Sequence, residues 1–472
     1  MILAGATFAA IVVRAVTTVD TYWDTLAYHW PFAARVAGLC DRDCFLLTSG
    51  MEAYYDGFPL LLHAAQGLLW RATGTPGMAD LINIAMLIAL GAYLRWRFAV
   101  PLAWSWLAFL AIPEVQIQLT STYIDVPANA AITLGILVAF RMLTQPEADQ
   151  RADALIAWAA LGIAANSRYQ LVAVAVLVWL AIVALALRDP TRLGFDRRAS
   201  LFAVLGVAGV GTLLTKLAIN AAMFGNPFYP IDVVFGPLHF AGSIAMLQSN
   251  TVSDVWADSP RALRWVASVL EFDAYRGRPL PWMIGQGDVA QSSPSFRMGG
   301  YFVPYVLGAL ALMAWSARGS TFARRGLATM VALSLLCSML PASHELRYYM
   351  FWMLSLVSIL LALVSAPAFA SGTQASERRH VEALVAIAAI SVILMTGAAY
   401  LRASGDTVES LLRNTEAKMR EFADGSTICI EGGQRTAFLY ASLFHPPRHY
   451  RVHMLGKGDI DTSCTVRLAL DD

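Results

Sequence analysis

The sequence predicts an all-α polytopic membrane protein with a small soluble α/β domain at its C-terminus. Three observations lead there. Hydrophobic residues make up 57% of the chain and charged residues only 14%, where a soluble chain carries roughly 25% charge; mean hydropathy is +0.56. Apolar runs close to the length of a membrane span recur up to about residue 400. From about Ser426 the pattern changes to short strand-like segments. The 34 basic and 33 acidic residues nearly cancel, so nothing in the chain is built to hold nucleic acid. Its 13 Trp and 16 Tyr are enough to supply aromatic belts at the membrane interfaces.

The apolar runs fall at 1–19, 79–94, 98–113, 126–143, 154–166, 170–187, 200–222, 301–316, 327–341, 348–367 and 381–400. The first lacks a basic start, contains Arg14 and runs into a polar loop without a small-residue cleavage site, so it reads as a span and not as a signal peptide. Three loops concentrate positive charge: Arg188, Arg192, Arg197 and Arg198; Arg318, Arg324 and Arg325; Arg378, Arg379 and His380. Excess Arg marks the cytoplasmic side. Counting outward from them puts 20–57, 114–125, 223–300, 342–347 and the tail from Leu401 outside.

A twelfth run, 58–70 (FPLLLHAAQGLLW), is too short to cross where about 20 residues are needed. Asp24 and Asp125 share the outer side only if this run does not cross. It is therefore expected to be a re-entrant or interfacial helix, which also leaves Arg95 and Arg97 on the cytoplasmic side. About eleven crossings result, with the N-terminus inside and the C-terminus outside.

Two domains follow: a membrane domain over 1–400, with outer loops 20–57 and 223–300, and an outer appendage over 401–472. No repeat of solenoid length is visible. In the long loop, Ser259 to Phe272 reads as a surface helix, capped by Ser259 and with Pro260 in its first turn. In the appendage, STICIEG, YRVHML and CTVRLAL read as strands and RTAFLYASLF as helix. Cys40 and Cys44 in the first outer loop, and Cys429 and Cys464 in the tail, would lie in an oxidising compartment where disulfides persist. The second pair would staple a domain too small to hold itself together by its core. A pair of cysteines is too few for a closed zinc site. Cys337 falls in a span and reads as core.

The chemistry concentrates just after the first span, in DTYWDTLAYHWPFAAR from Asp20 to Arg35. Ionisable groups at a membrane boundary are expensive to place and mark a candidate site. Asp24 could act as a base, or could cap the helix that follows it. Tyr28 and His29 accompany it, and a lone His serves structure as readily as catalysis. Asp125 lies in STYIDVPANA at the outer end of a span, where capping is again the alternative. Arg168 and Tyr169 interrupt two apolar runs; Arg168 could hold a phosphate bidentately or simply pair with Asp125. FGNPFYP, with Asn226 and Tyr229, reads as a rigid turn. HELRYY places Glu345 and Arg347 between two outer span ends, where they could be a self-contained pair. Lys216 is a weaker cationic candidate. No Walker-type phosphate loop, nucleophile elbow or H-E-x-x-H is present.

The pattern of Asp24, Tyr28, His29 and Pro31 resembles the first outer loop of the GT-C polytopic glycosyltransferases, which use lipid-linked sugars. Asp125 with Pro127, Arg168-Tyr169, Asn226-Pro-x-Tyr229-Pro and Glu345-x-Arg347-Tyr also resemble motifs of that family, in matching order. The likeness is to the bacterial aminoarabinose-transferase and protein O-mannosyltransferase branch and covers most of 1–400. It implies transfer of a sugar from a polyprenyl phosphate to a cell-envelope glycan, lipid or protein, on the outer face of a bacterial inner membrane. It implies Asp24 as the catalytic base and Asp125 as a second catalytic carboxylate, Arg168 and Arg347 on the lipid phosphate, and Tyr28, His29, Tyr169, Asn226, Tyr229 and Glu345 with them around the substrate. Some members bind a divalent metal ion through the second acid and others work without one. A transporter or flippase of a lipid-linked or small polar substrate is the alternative, and transporters often show the repeated halves that this chain lacks. A structural subunit that docks through its tail is a third.

Overall fold

The computed structural model describes residues 1–21, 23–145, 150–193, 197, 200, 202–245, 258–270, 300–365, 407–419, 422–433, 436–446, 448–456 and 461–470. The expected span at 381–400 and the basic loop of Arg378, Arg379 and His380 lie outside the described residues. The ten other apolar runs all fall on helices.

Those helices are α1 (Ile2–Thr17), α5 (Leu81–Phe98), α6 (Leu102–Leu110), α8 (Asp125–Thr144), α9 (Arg151–Ala165), α10 (Tyr169–Ala186), the pair α11 (Val204–Leu213) and α12 (Thr215–Phe224), α14 (Val303–Ser316), α15 (Thr321–Met339) and α16 (Phe351–Ser365). Among the described residues four helices are long and apolar enough to cross a membrane, Pro76–Phe98, α8, α10 and α15, or six if each of two bent pairs is one span. This is a multi-pass membrane protein.

The bends correct two expectations. Residues 98–113 do not form one straight span, and 114–125 is not all loop. Helix α6 stops at Leu110 and α7 (Pro113–Leu119) leaves it at 99°. Pro113 is the cause: it opens α7, and its ring disfavours a helical residue before it, so Ile112 is extended. The 200–222 run likewise bends by 57° between α11 and α12.

Helix α8 is the hub, packed by α5, α9, α10 and α16. Its small residues Ala128, Ala130, Ala131 and Gly135 let the neighbours close in. A β-carbon at Gly135 would stand 2.6 Å from the Leu161 side chain, so this position must be glycine at the present α8–α9 spacing.

Two polar clusters mark opposite ends of the bundle. At one end Asp153, fully buried, takes Arg97 at 2.8 Å, Arg141 and the Tyr93 hydroxyl at 3.2 Å, while Arg325 reaches the Leu143 carbonyl at 2.8 Å. At the other end the loops carrying Asp24, Asp125, Arg168 and Arg347 meet. The even-crossing requirement is thus met in space. Residues 58–70 form α4 (Leu61–Thr73), which packs on α2 (Trp30–Val36) and is not among the helices able to span.

The soluble sheet is built from both ends of the sequence. Its strand order is β1-β3-β2-β4, all parallel, with β2 (Thr427–Gly432), β3 (Arg451–Leu455) and β4 (Val466–Leu470) from the tail. The edge strand β1 (Phe45–Leu46) comes from the loop after α2 and pairs with Val452 and His453. Both expected disulfides are formed, Cys40–Cys44 and Cys429–Cys464, and Cys337 is free and buried. RTAFLYASLF is not an α-helix but two short 3₁₀ turns, Ala437–Tyr440 and Ser442–Phe444, because Ala441 between them is extended. The helix expected from Ser259 is α13 (Arg261–Val269); Pro260, not the Ser259 side chain, precedes its first turn, and Trp265 packs edge-on against Trp352.

One core joins loop and tail: Trp30, Phe32 and Phe45 of the first loop are buried with Ile428, Phe438 and Val452. Phe45 meets Phe438 at 5.0 Å, and Trp30 and Trp70 both face Phe444. Each such side chain is worth about 1.5–3 kcal/mol of burial. Removing 407–472 is therefore expected to open the loop to protease and to end any activity housed there. A truncated chain with an intact, protease-resistant loop and full activity would reject this coupling.

Candidate active site

Asp24 sits where a short π-helical turn, Thr25–His29, begins and leads into α2. Its own backbone is already helical and its side chain makes no capping bond. The carboxylate instead accepts from Arg347 Nη1 at 3.0 Å. Asp125 opens α8 and is fully buried; its Oδ2 accepts from Arg168 Nη2 at 2.8 Å, while Oδ1 has no partner among the described residues. The Arg168 Nε–H is likewise buried and unmatched among them.

Tyr348 joins the two pairs. Both guanidiniums stand 5.0 Å from its ring centre, and Arg347 Nη2 donates to its hydroxyl at 3.2 Å. Glu345 lies 4.0 Å from Arg347 Nε. The Asp24–Arg347 pair is partly accessible, at 16% and 19% of side-chain area, and the Asp125–Arg168 pair is deeper, at 0% and 10%. Asn129, one turn after Asp125, fixes the arrangement. Its amide donates to the carbonyls of Asp125 (2.8 Å) and Arg347 (3.1 Å) and accepts from the Phe351 N–H (3.0 Å).

His29 is buried with a partner that the sequence reading missed. Its Nδ1 shares a 2.8 Å hydrogen bond with His63 Nε2 of α4, and Tyr28 packs at 4.3 Å on the His29 ring. Burial, and then the Arg168 charge, push the His63 imidazole down to about 3; burial and then its His63 neighbour also hold His29 well below the ordinary range. The pair is neutral at pH 7. Because the folded form resists protonation, stability is level above the unfolded value of about 6.5 and falls as pH drops below it, by about 1.4 kcal/mol per pH unit for a single histidine. Wild type is expected to lose unfolding temperature between pH 6.5 and 5 in detergent, and His63→Gln to lose less; parallel curves would remove the histidines as the cause.

Three candidates form a separate knot. The Tyr169 hydroxyl and the Asn220 amide converge on the carbonyls of Gly57 and Tyr229, at 3.0 Å for Tyr169 to Tyr229 and 2.9 Å for Asn220 to Gly57. Gly57 allows this crossing, since a β-carbon there would lie 2.4 Å from the Tyr229 carbonyl oxygen. Asn226 donates to the Ile231 (2.9 Å) and Ala241 (3.0 Å) carbonyls and accepts from the Phe228 N–H (2.8 Å). The Tyr229 ring stacks on Phe224. Lys216 reaches the Asp56 carbonyl at 2.8 Å.

A second residue that the sequence reading missed is Glu114 on α7, with Arg347 and Asp125 among the charges acting on it. Its signal was present, an acid directly after a proline in apolar sequence, but 114–125 read as loop. Around Asp24 and Asp125, no three His, Cys, Asp or Glu side chains among the described residues bring ligand atoms within 4.8 Å of one another. The group that does, Cys429, His453 and Asp461, is in the soluble sheet, and its cysteine is in a disulfide.

The crystal structure of ArnT from Cupriavidus metallidurans in the apo state is similar to this chain, with a TM-score of 0.56 over 97% of this chain and 86% of that one. The chain has the GT-C fold of ArnT. ArnT from the same organism bound to undecaprenyl phosphate is similar over the same shares, again at a TM-score of 0.56. Identity to the two GT-C structures is 14% and 13%, a likeness of fold. No family model matches the sequence, and no curated protein is significantly similar to it.

Proposed function

We propose that this chain is an integral membrane glycosyltransferase that moves a sugar from a polyprenyl-phosphate donor to a cell-envelope acceptor on the outer face of a bacterial inner membrane. The observation that carries this reading is the pair of guanidiniums near Tyr348, each tied to a carboxylate, at one end of a GT-C bundle. The Arg168 Nε–H is a donor without a described partner, and such a buried donor calls for an acceptor. A phosphate supplies it, with planar bidentate geometry suited to arginine. That a related fold holds undecaprenyl phosphate supports the same lipid class here.

In this reading the donor phosphate sits against Arg168 and Arg347. It competes with Asp24 for Arg347 and leaves the carboxylate free to accept a proton. The acceptor hydroxyl gives its proton to Asp24 as its oxygen attacks the anomeric carbon. The bond from that carbon to the phosphate oxygen breaks, and the electron pair stays on the phosphate between the two guanidiniums. Attack opposite the leaving group inverts the anomeric centre. Asp125 holds Arg168 in place, Glu345 orients Arg347, and Tyr28 and His29 wall the site near Asp24. Tyr169, Asn226 and Tyr229 hold the loops around it. A divalent ion would take Asp125 Oδ1, which has no partner among the described residues, and would add charge for the phosphate.

The test is a transfer assay in membranes with radiolabelled polyprenyl-phosphate sugars. Label is expected to reach an acceptor with wild type. Bound donors that stay intact across the panel would reject the transferase in favour of a lipid carrier.

A further inference from the structure

Glu114 is a fully buried carboxylate at the start of α7, in the bent segment. Gln118, one turn on, donates to its Oε1 at 2.7 Å, and its backbone N–H bonds the Gly300 carbonyl at 3.1 Å, so the side chain is held from both ends. Its Oε2 has no partner among the described residues. The Gln118 Oε1 and the Asp125 Oδ1 also have no partner among the described residues, and the charges of Arg347 and Asp125 are among those that act on Glu114. Each of these atoms is an acceptor. A buried acceptor left unmatched costs about 1–3 kcal/mol, and native proteins keep only a few such groups per 100 residues. A cluster of acceptors alone is complementary to a ligand rich in donors.

The proposed function supplies one. A sugar hangs directly from the phosphate, so its hydroxyls lie within one ring of the atoms that Arg347 and Arg168 hold. We propose that Glu114, with Asp125 Oδ1 and Gln118 Oε1, forms the hydroxyl-recognition wall for the donor sugar, and that Glu114 is the residue that sets sugar specificity. This inference rests on the phosphate reading for Arg168 and Arg347. Its chemistry is hydrogen bonding only. A site built around a sugar hydroxyl rejects the analogue that lacks it far more strongly than an apolar pocket does, because its own acceptor is then left unmatched.

The experiment measures binding of bare undecaprenyl phosphate, and of a panel of polyprenyl-phosphate hexoses and pentoses, to the full chain in nanodiscs. Wild type is compared with Glu114→Leu and Glu114→Gln. Glu114→Leu replaces a buried carboxyl group by an apolar side chain of similar size and leaves one Gln118 amide donor unmatched, a cost of about 1–3 kcal/mol that a folded chain can carry. It is expected to bind bare undecaprenyl phosphate within about twofold of wild type and the preferred sugar lipid about 100-fold more weakly, the scale of a lost specific contact. Glu114→Gln keeps an acceptor of the same size and is expected to recover most of that loss. Equal losses for bare and sugar-bearing lipid, no loss for either, or a wild type that does not distinguish sugar lipid from bare lipid would each overturn the proposal. Failure of wild type to bind bare lipid phosphate would instead strike at the phosphate site itself. Should Glu114→Leu not fold, Glu114→Met, which also lacks an acceptor, decides in the same assay: a ratio of sugar lipid to bare lipid equal to wild type for every sugar overturns the specificity role.

Discussion

Asp24→Asn is expected to abolish sugar transfer, by on the order of 10²–10⁴-fold, the usual contribution of a positioned base. The amide keeps the size of the side chain and can still accept from Arg347, but it cannot take a proton. Loss of fold is not expected. The Asp24–Arg347 pair is partly exposed, so solvent screening limits its worth to about 1 kcal/mol or less. Nor does Asp24 cap a helix, since its backbone is helical and its side chain makes no capping bond. The geometry adds a second, signed expectation. Arg347 now divides itself between Asp24 and any incoming phosphate. With the negative charge gone, the guanidinium is released to the lipid, so the variant should bind undecaprenyl phosphate as tightly as wild type or more tightly. The measurement pairs transfer with lipid binding on the same preparation. A variant that transfers at the wild-type rate removes Asp24 as the base. A variant that loses lipid binding together with transfer makes Asp24 part of the phosphate site and not the proton acceptor.

Much of the fold was legible because a membrane imposes strong rules on sequence. Runs of apolar residues gave the helices, and the spacing of polar loops placed Asp24 and Asp125 at one end. The requirement that Asp24 and Asp125 share a side singled out 58–70 as non-crossing, and α4 is too short and too amphipathic to cross. The bends were less visible. Pro113 announces a break, but apolar periodicity cannot give an angle of 99°. The junction between loop and tail was hidden for a different reason. A two-residue strand such as Phe45–Leu46 has no periodicity to read, and its partner lies some 400 residues away in sequence. Parallel pairing over that distance leaves no local trace.

The site shows the same division. Residues whose charge is costly in a membrane stood out, and five of them meet: Asp24, Asp125, Arg168, Glu345 and Arg347. Their pairing was open, because Arg168 could be assigned to Asp125 or to phosphate with equal chemistry. Neutral positioning groups were invisible. Asn129 is one amide in a long apolar helix, yet it ties the Arg347 segment to α8. His63 sits inside an apolar run, and only the fold brings it to His29.

Arg168→Leu is expected to cost about 3–5 kcal/mol of stability, the largest structural effect in the site, because it leaves Asp125 buried without its ion-pair partner. Asp125→Leu should do comparable harm by stranding Arg168. The double variant removes both charges and buries apolar surface in their place, which is often neutral or stabilising for a buried pair. Its unfolding temperature in detergent should return close to wild type. That recovery separates the two meanings of Arg168. If the arginine exists only to neutralise Asp125, binding of bare undecaprenyl phosphate should return with stability. If it holds the donor phosphate, the double variant folds and still does not transfer, and its affinity for undecaprenyl phosphate stays low. The second outcome is expected, because a guanidinium that only balanced one carboxylate would have little reason to keep a buried Nε–H unmatched. Asp125→Asn supplies the remaining control. It keeps an acceptor for Arg168 and removes only charge, so transfer retained there assigns the loss in the double variant to the arginine. A double variant that both folds and transfers would make the Asp125–Arg168 pair a structural strut and leave Arg347 as the sole arginine on the phosphate.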